Sequence, residues 1–135
     1  MKIGYINGSW DLFHVGHLRI IKRARAMCDR LIVGVNQDED IIVNKGRPPI
    51  INQHSRQEII TAIKFCDECI ISPYHTTPEQ MIEMGADIKF CGSDYDNDSI
   101  VMKLKKDLEP YGKQVVILPR TDGISTTILR EVLAG

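Results

Sequence analysis

Lys2-Ile3-Gly4-Tyr5-Ile6-Asn7-Gly8-Ser9-Trp10-Asp11-Leu12-Phe13-His14-Val15-Gly16-His17 takes the chain from a short apolar run into a helical pattern. Lys2 to Ile6 has the character of a strand, Asn7-Gly8-Ser9 signals a turn, and Leu18, Ile20, Ile21 and Ala24 open an apolar helical face. His14 and His17 therefore stand at a helix N-terminus, on one face of its first turn. Gly16 between them removes a side chain where a ligand would approach the backbone. Free N–H groups and the positive end of the helix dipole suit a phosphate there. The imidazoles add directional donors and are able to carry positive charge when a polyphosphate is bound. Two other uses fit the same residues. Histidine can cap the backbone at a helix start, and a zinc site is the other alternative, although the spacing supplies only two ligands.

With 135 residues, 43% of them hydrophobic and 26% charged, the composition is that of one globular domain with a sizeable core. Residues 1–135 read as a single domain, without repeats, low-complexity segments or linkers. A formal charge of -1 and a pI near 6.4 argue against nucleic acid as a partner, which calls for a basic stripe. No apolar run approaches the roughly 20 residues that cross a bilayer, and the N-terminus lacks a signal-peptide pattern, so a cytoplasmic protein with no membrane partner is expected. Cys28, Cys66, Cys69 and Cys91 fit a reducing compartment as small buried hydrophobes. Cys66-Asp67-Glu68-Cys69 has C-x-x-C spacing but no second pair to complete a metal site, and no protein-held metal is expected.

Beyond the first helix, Arg30 to Val35 is the compact apolar run of a strand buried on both faces. A polar segment, Asn36 to Asp40, leads through Ile41-Ile42-Val43 to Asn44-Lys45-Gly46-Arg47-Pro48-Pro49, a loop by its glycine and prolines. Lys45 and Arg47 there would close over an anion or simply be solvated; the loop alone favours solvation. An amphipathic helix is predicted from Ser55 to Phe65, with Arg56 in its first turn. A cation opposes the dipole at that point, which marks Arg56 as a ligand contact or as half of an ion pair. Cys69 to Ser72 gives a third strand, Thr77-Pro78-Glu79-Gln80 a capping box for a helix to about Met84, and Ile88 to Cys91 a fourth strand. A polar loop, Gly92 to Asp98, precedes a helix marked by Ile100, Val101, Leu104 and Leu108 that stops around Pro110 and Gly112. Gln114 to Leu118 is the fifth strand. Arg120-Thr121-Asp122-Gly123-Ile124-Ser125-Thr126-Thr127 then feeds a last helix, with Ser125 or Thr126 as its cap. Its hydroxyls, arginine and glycine exceed what capping requires and again suit phosphate.

This alternation predicts an α/β fold, a five-stranded and mostly parallel sheet flanked by helices, with ligands bound at the carboxyl ends of the strands. The His14/His17 turn, the loop holding Asp94 and the Arg120 to Thr127 loop all follow strands and would gather at that edge.

The two motifs, Gly8 to His17 and Arg120 to Thr127, together resemble the cytidylyltransferase family of nucleotidyltransferases, most of all the glycerol-3-phosphate cytidylyltransferases. The likeness covers nearly the whole chain and implies a Rossmann-like fold. It implies transfer of CMP from CTP to a small phosphorylated alcohol, glycerol 3-phosphate first among them, with Mg²⁺ accompanying the nucleotide and with a homodimer. It implies catalytic roles for His14, His17, Lys45 and Arg120. Nucleotide contacts fall to Gly8, Ser9, Trp10, His14, Gly16, His17, Arg47, Asp94, Arg120, Thr121, Gly123, Ile124, Ser125, Thr126 and Thr127. The acceptor would be met by Asp11, Lys45, Arg56 and Lys64. Two departures stand out. Lys64 replaces an arginine of the glycerol-3-phosphate enzymes, and Gly92-Ser93-Asp94-Tyr95 is similar to the turn of adenylyltransferases acting on heptose phosphates. Other acceptors, ATP in place of CTP, and a nucleotide-binding domain without chemistry are the remaining alternatives.

Overall fold

The computed structural model describes residues 1–92, 99–119 and 126–134, with 126–128 described by backbone alone. Strands β1 (Ile3–Gly8), β2 (Arg30–Asn36), β3 (Glu68–Ser72), β4 (Ile88–Gly92) and β5 (Gln114–Leu118) alternate with helices α1 (Val15–Ala26), α2 (Asp38–Lys45), α3 (Gln53–Thr61), α4 (Pro78–Met84), α5 (Ser99–Leu108) and α6 (Thr126–Ala134). The strands form one sheet in the order β3-β2-β1-β4-β5, and all four pairings are parallel. The expected α/β architecture is therefore present. After β3 the chain crosses back to the other side of β1, which makes the carboxyl edge between β1 and β4 the switch point of the sheet.

The apolar runs form strands because both faces of the sheet are covered. On one face Ile6, Val33 and Phe90 pack with Ile21 and Ala24 of α1 and Ile60 of α3. On the other, Tyr5 and Ile32 pack with Met81 of α4 and Leu104 and Leu108 of α5. Thr77 caps α4 through its expected box with Gln80, and Gly85, at φ 70, ends that helix.

Two expectations are corrected. Residues 38–45, taken as polar segment and loop, form α2, so Lys45 closes a helix rather than riding on a loop. Only Ile41 of that helix is buried, which left no apolar stripe; the helix rests instead on Asp38, Glu39 and Asp40 in its first turn and on Gly46, left-handed at φ 74, as its C-cap. Helix α3 starts at Gln53 and ends at Thr61, earlier than predicted at both ends, because the Asn52 side chain caps it by accepting from the Ser55 N–H. Among the described residues no helix is long and apolar enough to cross a membrane.

Candidate functional site

The turn between β1 and α1 sits at the switch point and is fixed from several directions. Trp10 and Leu12 both adopt left-handed backbone, at φ 56 and 49, a conformation that costs on the order of 1–3 kcal/mol for such residues. Neighbouring contacts hold them there. The Trp10 indole N–H donates to the Gly34 carbonyl at 2.9 Å, and the Asp11 carboxylate, 2% exposed, accepts from the N–H groups of Ile50 and Ile51 at 2.8 and 2.9 Å. Asp11 also pairs with Arg130 of α6 at 2.6 Å. Gly8 lets the Trp10 ring lie close, since a Cβ there would stand 3.1 Å from it.

His14 is the N-cap of α1. Its Nδ1 accepts from the Gly16 N–H at 3.0 Å, while the His14 N–H donates to Nδ1 of His17 at 3.2 Å. The rings stack with centroids 3.8 Å apart, and His17 is further braced by Trp10, edge-on at 5.5 Å, and by Phe13 at 5.3 Å. Capping and ligand binding, set against each other in the sequence, are thus compatible. With both Nδ1 atoms accepting from backbone, each imidazole carries its proton on Nε2. Burial pushes His14 down and takes His17 to about 3, helped by the neighbouring His14 and Lys45 and opposed by Asp11. Without a ligand the histidines are neutral, since protonation would place a hydrogen on the nitrogen that closes the cap; the expectation of positive charge belongs to the state with a polyphosphate bound. They present neutral N–H donors, and Nε2 of His14 is buried without a hydrogen-bond partner.

Positive charge comes instead from the elements around the turn. The Lys45 ammonium is held below the ordinary lysine value by burial and by the fields of Arg47, Arg130 and Arg56, with Asp11 opposing. Arg56, first weighed as a ligand contact, is fully buried and donates to the carbonyls of Ser9 and Ile51 at 2.6 and 2.8 Å and to Asp38. It ties α3 to the β1–α1 turn, so its charge reaches the site while three of its N–H groups are committed to the scaffold. Lysine and arginine from α2, α3 and α6 thus converge beside the histidines, a field suited to an anion. Arg130 escaped the sequence reading, because its place depends on a contact with Asp11 at the opposite end of the chain.

Next to this turn a cleft of about 240 Å³ opens over the carboxyl edge of the sheet. Gly8, Ser9, Asn36, Lys45, Lys89 and Cys91 are among its lining residues. Trp10, expected to line the nucleotide pocket, lies instead in the core behind His17, 5% exposed. Lys64 is not brought here at all: it follows α3 and precedes β3, at the amino edge of the sheet, exposed and 5.1 Å from the Phe65 ring. Asp94, Arg120, Thr121, Gly123, Ile124 and Ser125 lie outside the described residues, as do the side chains of Thr126 and Thr127, whose backbone begins α6.

Residues 5–132 match the cytidylyltransferase-like family. The Bifunctional protein HldE of Hyphomonas neptunium is 38% identical over 130 residues, 96% of this chain and 26% of that protein. Ethanolamine-phosphate cytidylyltransferase of Dictyostelium discoideum is 35% identical over 126 residues, 93% of this chain and 34% of that protein. The chain therefore spans about a quarter to a third of the length of these curated relatives. The crystal structure of a lipopolysaccharide core biosynthesis protein from Thermoplasma volcanium superposes with a TM-score of 0.72 at 27% identity, covering 90% of this chain and 97% of that one. In the extent of its match, and in a parallel sheet whose switch point carries paired histidines, this chain belongs to the cytidylyltransferase-like family.

Proposed function

We propose that the chain transfers CMP from CTP to the phosphate of a small phosphorylated alcohol, releasing pyrophosphate. An oxygen of the acceptor phosphate attacks the α-phosphorus, and the bond from that phosphorus to the bridging oxygen of pyrophosphate breaks. The acceptor oxygen is already anionic at neutral pH, so no protein nucleophile or base is needed. Catalysis then consists of alignment and of donors aimed at charge on the phosphoryl oxygens.

The observation that carries this reading is the stacked histidine pair, with Nε2 of His14 buried and unpartnered at the head of α1. Neutral imidazoles fixed by backbone bonds donate without rearranging, and the α1 N-terminus adds its partial positive charge. Lys45 and Arg47 would neutralise the phosphates, while Asp11 and Arg56, held by scaffold bonds, keep the turn in register; Arg120 and the hydroxyls of Ser125 to Thr127 would complete the nucleotide contacts. Among the described residues no three His, Cys, Asp or Glu side chains gather as a metal cage. Mg²⁺, implied by the family likeness, would enter with the triphosphate and would supply charge neutralisation there. The family likeness also motivates a homodimer.

Glycerol 3-phosphate is the first acceptor to test, followed by heptose, polyol and ethanolamine phosphates and a phosphonate. ATP is the second nucleotide, on the strength of Gly92-Ser93-Asp94-Tyr95. Pyrophosphate release with Mg²⁺, each nucleotide paired with each acceptor, is the test. Release with CTP and one acceptor is the expected result; release with ATP alone reassigns the nucleotide, and silence with every pair, alongside retained CTP binding, identifies a binding domain.

A further inference from the structure

A sheet that buries both faces should carry apolar side chains in every interior cross-strand row, yet one row here reads Glu68, Ile32, Tyr5, Lys89, Val115, with Glu68 exposed on the edge strand. Tyr5 and Ile32 belong to the core on the α4–α5 face, and Val115 packs against it. Lys89, 5% exposed, is the buried charge of the row. Its Nζ donates to the Phe90 carbonyl at 3.0 Å and to Cys91 Sγ at 3.7 Å, and stands 5.7 Å from the centre of the Tyr5 ring. Among the described residues no carboxylate pairs with it.

An ammonium buried without a counter-charge is costly, and burial holds its pKa below the ordinary lysine value. The fold gains nothing from this placement that a methionine would not supply more cheaply. What distinguishes the position is that Lys89 lines the cleft beside the histidine turn. No described lining residue is acidic; Lys45 and Lys89 are its cations, with Asn7, Asn36 and Asn44 as neutral polar partners. Lys45 belongs to the basic group around the turn, whereas Lys89 comes from β4, on the side of β1 away from β2. Two of its three N–H bonds are directed to Phe90 and Cys91. The one that remains suits a carboxylate oxygen.

We propose that Lys89 is a specificity-determining residue that reads the end of the acceptor remote from its reacting phosphate, and that this end is a carboxylate: the acceptor is a small phosphorylated hydroxy acid. This rests on the transferase reading and narrows it. An acceptor ending in an ammonium group would meet two lysines and no carboxylate of the described lining.

The test uses three acceptors that differ chiefly at the remote end: 3-phosphoglycerate, glycerol 3-phosphate and ethanolamine phosphate. Binding is measured by calorimetry with a non-reactive α,β-methylene analogue of CTP present, and pyrophosphate release is measured separately with CTP. The wild-type chain should bind 3-phosphoglycerate tighter than ethanolamine phosphate by about tenfold or more, with glycerol 3-phosphate between them. Lys89→Met should abolish that ranking and, having lost a buried charge, should unfold at no lower temperature. Should it fail to fold, Lys89→Gln, which keeps a donor but no charge, takes its place and should also abolish the ranking. An unchanged ranking in the folded variant, no ranking in the wild type, or no binding of any acceptor would each overturn the proposal. A Lys89-dependent binding order without pyrophosphate release would end the transferase reading and leave only the recognition of a carboxylate ligand by Lys89. Release with an order indifferent to Lys89 would do the reverse.

Discussion

His14 caps α1 through Nδ1 and, in the proposed function, would meet the ligand through Nε2, and substitution can separate the two roles. His14→Ala removes the cap and the Nε2 donor together, so it should lower stability by about 1 kcal/mol and turnover by on the order of 10²-fold. His14→Asn restores an N-cap acceptor without reaching the nucleotide; its melting temperature should recover most of the loss while turnover stays low. Recovery of both would assign the histidine to the scaffold alone. His17 gives a pH signature. Its folded-state pKa, about 3, lies below the unfolded value near 6.5, so between those limits the unfolded chain binds a proton that the native one refuses. Stability contributed by neutral His17 is present above pH 6.5 and is lost as pH falls toward 3, with a slope of up to about 1.4 kcal/mol per pH unit. Urea unfolding between pH 4.5 and 7.5 should show this slope, and His17→Gln should flatten it.

Between α1 and the strands, the Trp10 to Leu12 turn is strained backbone held by long-range partners, Gly34, Ile50, Ile51 and Arg130. Arg130→Met takes the guanidinium from the nearly buried Asp11 carboxylate while the Ile50 and Ile51 N–H donors remain. A loss of about 2–4 kcal/mol should follow, less than the full cost of an orphaned buried charge because those donors remain. Denaturant melts measure it, and Asp11→Asn in the Arg130→Met background should return part of the loss. None of these ties is local in sequence, which is why the residues alone did not reveal them. The β1 run, the turn and the start of α1 were legible because each depends on neighbours a few positions away. Helix α2 was not, since its acidic first turn and Gly46 cap speak weakly beside a single buried isoleucine. The scaffold duty of Arg56 was equally hidden: a guanidinium in a first helical turn looks anomalous until Ser9, Ile51 and Asp38 are folded around it.

Across the whole molecule the strand order brings the ends of β1, β2 and β4 to one edge, and the charge follows the topology. A chain with a formal charge of -1 concentrates Lys45, Arg47, Arg56 and Arg130 beside the histidines, so its near-neutral composition conceals a basic site. Periodicity disclosed the parallel sheet, since strands covered on both faces are continuous apolar runs. It passed over Lys89, because one lysine within such a run resembles an ordinary exposed position until the helices of both faces are in place. One consequence of the braced histidine is optical. The chain has a single tryptophan, and its indole rests edge-on against His17 with its N–H committed to Gly34. Ultraviolet fluorescence from tryptophan therefore originates at one point, directly behind the imidazole pair, and the protein carries a native chromophore for its own site that needs no label.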